Sequence, residues 1–109
     1  MSITPDSMTV LATQACRLIK VLSNTDRLML LCQLTTGEKS VGDLEKQLGI
    51  QQPTLSQQLG VLRRARIVNT RREGKSIYYQ ISSTQALEII RELHSQFCII
   101  GTAPDARPL

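Results

Sequence analysis

Between residues 52 and 81 the apolar positions change period once, and that change limits this part of the chain to a helix feeding a β-hairpin. Residues 52–64 read QPTLSQQLGVLRR, with Leu55, Leu59 and Leu62 at the three-to-four spacing of one buried helical face. Residues 67–72 and 76–81 then alternate, and Glu73-Gly74-Lys75 between them places a glycine where a tight hairpin turn needs one. The helix is also unusual in its polar face. Residues 52–62 carry no charge, whereas a solvent-facing helix ordinarily uses Glu and Lys for solubility and i,i+4 pairing.

The remainder reads as helices. Aromatic residues are only 3% of the chain, so the core must come from Leu, Ile and Val, which favours helix packed on helix. Leu11, Ala15, Leu18, Ile19 and Leu22 stripe a first helix over 8–22. Ser23-Asn24-Thr25-Asp26 offers N-caps for a second over 25–34, apolar nearly all round and therefore central. Ser40 opens SVGD, a capping-box-like start to a short helix over 41–48, and Gly49 ends it. Pro53 suits the first turn of the next helix. Ser82 or Ser83 caps a last helix, on which Ala86, Ile90, Leu93 and Phe97 share a face.

The predicted order is α-α-α-α-β-β-α, mainly α with a small β-hairpin. Two short helices joined by a glycine turn and followed by a hairpin make a winged helix-turn-helix. At 109 residues the chain is expected to form one domain over 1–100, with 101–109, which holds two prolines, as a loose tail. So small a core is expected to be completed by a homodimer.

The charge is placed as unevenly as the periodicity. Residues 63–75 contain six basic side chains against Glu73 alone, whereas the rest of the chain holds seven basic and eight acidic residues. The whole positive excess is therefore one patch. Gln, Ser and Thr suit base edges in the major groove, and carboxylates there would be repelled by phosphate. Gln52, Thr54, Ser56, Gln57 and Gln58 are the candidate base readers of double-stranded DNA. Arg63, Arg64 and Arg66 at the helix end, with Arg71, Arg72 and Lys75 on the hairpin, are candidates for neutralising phosphates. The plainer reading, a polar helix that only solvates a surface, explains neither the missing acids nor the adjoining patch.

These residues resemble a known family. QPTLSQQLGVLRRARIVNTRREGKSIYYQIS is similar to the second half of the DNA-binding unit of ArsR-family winged-helix repressors. LSNTDRLMLLCQL resembles the family's second helix and SVGDLEKQLG its third. The resemblance implies a homodimer built through the first and last helices that binds operator DNA and releases it on meeting an inducer. Within the family the chain most resembles the biofilm growth-associated repressors, which sense reactive sulfur species through two cysteines. Cys32 and Cys98 match those positions. The resemblance thus implies that an oxidant or a reactive sulfur species links this pair within a protomer.

Local sequence alone activates neither thiol. Cys32 lies mid-helix among leucines, and Cys98 lies at a helix C-terminus, where the macrodipole opposes a thiolate. Small buried apolar residues are the alternative for all three cysteines, and Cys16 has no counterpart in the resemblance. Metalloid sensing is the principal rival function. The family's paired cysteines of the third helix are absent from Ser40-Val41-Gly42-Asp43-Leu44, and His94, with Glu92 nearby, has no second histidine for the last-helix zinc site, so no metal site is assigned, although a three-cysteine arsenite site stays open. A Cys98–His94 pair four residues apart lacks any oxyanion site, so catalysis is not expected, nor is a cofactor. A winged-helix protein-interaction module is the remaining alternative, but it has no need of an uncharged face backed by arginines. Residues 1–9 do not resemble a signal peptide, and no apolar run approaches the length of a membrane span, so a cytoplasmic location with no membrane partner and reduced cysteines is expected.

Overall fold

A computed structural model describes residues 4–97. The elements run α1 (Pro5–Leu22), α2 (Thr25–Leu34), β1 (Lys39–Ser40), α3 (Val41–Leu48), α4 (Thr54–Arg64), β2 (Val68–Glu73), β3 (Ser76–Ile81) and α5 (Thr84–Phe97). Helix starts follow their caps. The side chain of Asn24 accepts from Arg27 N at 3.0 Å, that of Ser40 from Asp43 N at 3.0 Å, and that of Ser83 from Ala86 N at 3.1 Å. Gly49 closes α3 in the left-handed conformation, φ +70°. α1 begins three residues before the predicted start at Met8, because Thr4 caps it through Ser7 N at 3.1 Å and Pro5 occupies its first turn.

α2 is the hub. Leu30, Leu31, Cys32 and Leu34 are buried, and α1, α3, α4, α5 and β3 all pack on this helix. Leu44, Leu55, Leu59, Leu62, Ile67, Val68, Ala86 and Ile90 complete one contiguous core. The inward stripe of α4 is thus the leucine set seen in the sequence.

β1 and the hairpin turn depart from the sequence reading. β1 was not foreseen: Lys39 and Ser40 pair antiparallel with Tyr79 and Tyr78, making a three-stranded sheet in the order β1-β3-β2. Within one chain the stripe of α1, expected at a dimer interface, is largely uncovered. Leu22 is buried and Leu18 half-buried, while Leu11 and Ile19 are more than half exposed, as are Met8 and Val10. At the other end of the chain Phe97 is exposed as well. The hairpin turn is tighter than the sequence indicated, since Glu73 pairs with Ser76 and leaves only Gly74 and Lys75 between the strands, with Gly74 at φ +62°. Cys98 and the 101–109 segment lie outside the described residues.

Candidate nucleic-acid interface

α4 projects from the core with Leu55, Leu59 and Leu62 inward, which leaves Ser56 and Gln57 exposed and Thr54, Gln58 and Val61 half-buried. Its first turn has no conventional cap, because Pro53 in the N-cap position offers no side-chain acceptor. Gln52 substitutes: its Oε1 accepts from Ser56 N at 3.1 Å and from Ser56 Oγ at 2.6 Å. The side-chain Oε1 of Gln58 accepts from Arg27 Nη1 at 2.8 Å. Among the described residues no hydrogen bond holds the side-chain amide of Gln57, which stands outward from the middle of the polar face.

Beside α4 runs a groove of about 1000 Å³, bounded by α4, the start of α3 and the hairpin. Arg63, Arg64, Arg66 and Lys75 line it with Ser40, Ser56 and Ser76, and no acidic residue does. The helix-end arginines and the hairpin lysine, adjacent in the charge pattern of the sequence, therefore converge on one cleft. Arg64 lies back over Gly60, where a Cβ would stand 3.2 Å from Arg64 Nη1. Arg72 is exposed on β2.

Arg71 is held differently. Its Nε donates to both carboxylate oxygens of Glu38 at 2.9 Å, and its Nη1 donates to Glu73 Oε2 at 2.7 Å. Its guanidinium also lies 4.5 Å from the centre of the Tyr78 ring, its direct cross-strand partner. The hydrogen bonds from Arg71 hold the Glu38 carboxyl below its ordinary pKa. This pairing spans the sheet and fastens β2 to the segment leading into β1. Glu38 carried no signal in the sequence, because its partner lies 33 residues away.

Arg66 explains how the groove acquires its helix-end charge. α4 ends in a Schellman arrangement, with Ile67 N donating to Leu62 O and Arg66 N to Arg63 O, each at 3.0 Å. The residue between, Arg66, takes φ +60°, a place glycine ordinarily fills. An arginine there bears backbone strain and adds a cation to the cleft. Arg66→Gly is therefore expected to raise unfolding stability by up to about 1 kcal/mol while weakening DNA binding, checked by thermal melts beside operator titration.

Comparison with known proteins decides the family. Residues 24–70 match the profile of the bacterial regulatory proteins of the arsR family. The biofilm growth-associated repressor of Xylella fastidiosa is 50% identical over 95 residues, 87% of this chain and 83% of that protein. The chain belongs to the arsR family. The crystal structure of the transcriptional repressor BigR from Xylella fastidiosa superimposes with a TM-score of 0.80 at 49% identity, covering 87% of this chain and 94% of that one. A homodimeric winged helix-turn-helix DNA-binding domain from Mycobacterium bovis, Mb0332, gives 0.72 at 29% identity, covering 88% and 89%. This arsR-family chain is thus a winged helix-turn-helix transcription regulator, and its relatives are regulators rather than enzymes.

The thiols are separated by environment. Cys32 is 2% exposed, and burial pushes its thiol above the ordinary cysteine value. Cys16 is exposed on α1. Among the described residues no three His, Cys, Asp or Glu side chains gather into a group able to hold a metal ion. No described helix is long and apolar enough to cross a membrane.

Proposed function

We propose that this arsR-family regulator represses transcription as a homodimer on operator DNA and releases it when Cys32 and Cys98 are joined. The observation that carries the DNA part is the acid-free groove beside α4, lined by arginines and Lys75. Thr54, Ser56 and Gln57 face base edges. Gln52 supports the helix start through Ser56, and Gln58 stands at the inner margin of the face. Arg63, Arg64, Arg66, Arg72 and Lys75 take phosphates, while Arg71 holds the hairpin in place through Glu38. Leu11, Ile19 and their exposed neighbours on α1, with Phe97 on α5, supply the apolar surface for the second protomer.

The release step follows thiol chemistry. Burial disfavours ionisation of the Cys32 thiol, and in the proposed sequence Cys98 attacks first. Its thiolate takes the outer sulfur of a persulfide, RSSH, and releases RSH. Cys32 then attacks the inner sulfur of the new Cys98 persulfide, forming a disulfide and expelling H₂S. The electrons lost by the two thiols leave in that sulfide. An oxidant such as peroxide accepts the same two electrons and gives water. α2, which carries Cys32, packs directly on α5. Tethering α2 to the last helix changes the dimer, and two recognition helices must match half-sites about one helical turn apart.

The test is operator binding by wild type, Cys32→Ser and Cys98→Ser, each treated with persulfide, peroxide, arsenite or dithiothreitol. Persulfide is expected to release the wild type and to leave both variants bound, with dithiothreitol restoring binding. Release of both variants by persulfide would refute the two-thiol switch. Release of the wild type by arsenite alone would move the assignment to metalloid sensing.

A further inference from the structure

Arg27 sits in the first turn of α2, away from the basic groove, and among the described residues no carboxylate pairs with it. Its guanidinium instead joins three elements. Nε donates to Val21 O at 2.6 Å and Nη2 to Lys20 O at 3.4 Å, both in the last turn of α1, while Nη1 donates to Gln58 Oε1 at 2.8 Å on α4. Both backbone acceptors belong to the end of α1, whose final carbonyls have no partners within the helix and carry the negative end of its dipole. A cation there is stabilised without a counter-ion. The planar fork of donors lets one side chain reach acceptors on α1 and α4 together in a fixed geometry, which a compact ammonium does not reproduce.

We propose that Arg27 is a positioning residue for sequence-specific DNA binding: it seats the recognition helix α4 against the end of α1. The inference rests on the repressor reading above. It ties the helix that carries the exposed apolar stripe to the helix that faces DNA, through one half-buried side chain. Gln58 is the receiving end. Bidentate reading of adenine needs both ends of a glutamine amide turned to the base, and the bond from Arg27 at 2.8 Å fixes the way the Gln58 oxygen points. Gln58 therefore sets the rotation of α4 rather than reading a base, and Gln57 beside it keeps both groups for DNA.

The experiment uses the operator that the full-length wild type selects from a random-sequence duplex pool, with a scrambled duplex as the non-specific probe. Affinities for both are measured across salt for wild type, Arg27→Lys, Arg27→Ala, Gln58→Met and the Arg27→Ala/Gln58→Met double variant, well below each melting temperature. Each single variant is expected to lose on the order of tenfold in operator affinity, with scrambled-duplex binding and the salt slope unchanged, and the double variant is expected to lose no more than the worse single one. Equal losses on both duplexes would mark a general loss of fold and overturn the inference. A slope made shallower by about two for the dimer in Arg27→Ala, but retained in Arg27→Lys, would make Arg27 a phosphate ligand and overturn it too. Additive losses in the double variant would dissolve the Arg27–Gln58 link. A wild type that selects no sequence would instead refute the repressor reading, and this inference with it.

Discussion

Raising salt from 50 to 200 mM is expected to lower operator affinity by about four orders of magnitude. Each phosphate neutralised by Lys or Arg releases condensed counterions, and the log–log slope is about −0.9 per contact. Five cations, Arg63, Arg64, Arg66, Arg72 and Lys75, have no acidic partner among the described residues, whereas Arg71 is held by Glu38 and Glu73. If about four of the five meet phosphates in each protomer, a dimer makes about eight contacts and the slope lies near −7. Titration of labelled operator at several salt concentrations measures it directly. Lys75→Ala should make the slope shallower by about two in the dimer, whereas Arg71→Ala should change it little and act instead through a loosened hairpin. A wild-type slope shallower than about −2 would show that the groove is not the DNA footprint.

The second large effect concerns stability. Leu59→Ala is expected to cost about 2–5 kcal/mol, because a buried leucine leaves both lost transfer energy and a cavity. Leu59 is 1% exposed on the inner face of α4, flanked by Leu55 and Leu62, each fully buried. A domain of this size has roughly 5–15 kcal/mol in total, so the loss is a large share of it. Urea unfolding followed by circular dichroism gives the value from the shift in midpoint at constant slope. A cost below about 1 kcal/mol would mean that α4 is seated by something other than its leucine stripe.

These expectations show how much of the molecule its sequence carries. The helical and alternating periods, the caps at Asn24, Ser40 and Ser83, and Gly49 and Gly74 at left-handed positions are local signals, and the elements they predicted are those observed. β1 could not be read in advance. Two residues are too few to show a period, and Lys39 and Ser40 are extended because β3 offers them an open edge. The same limit applies to α1. Its stripe could be read as apolar, but a stripe does not say whether its own chain or a second one covers it.

The candidate site divides in the same way. The absence of acids between residues 52 and 62 and the crowding of cations between 63 and 75 are properties of the chain, and they were enough to indicate DNA. Which of those side chains remain available was decided by contacts between residues far apart in sequence: Arg71 with Glu38 across 33 residues, and Arg27 with Gln58 across 31. Hydrogen bonds and ion pairs act over a few ångströms, so their partners are chosen by the packed backbone and leave no periodic trace. By itself, the sequence determined the elements, the polarity of each face and the sign of the patch. Only the tertiary structure decided which cations line the groove and which glutamine on the polar face of α4 keeps its side-chain amide unengaged.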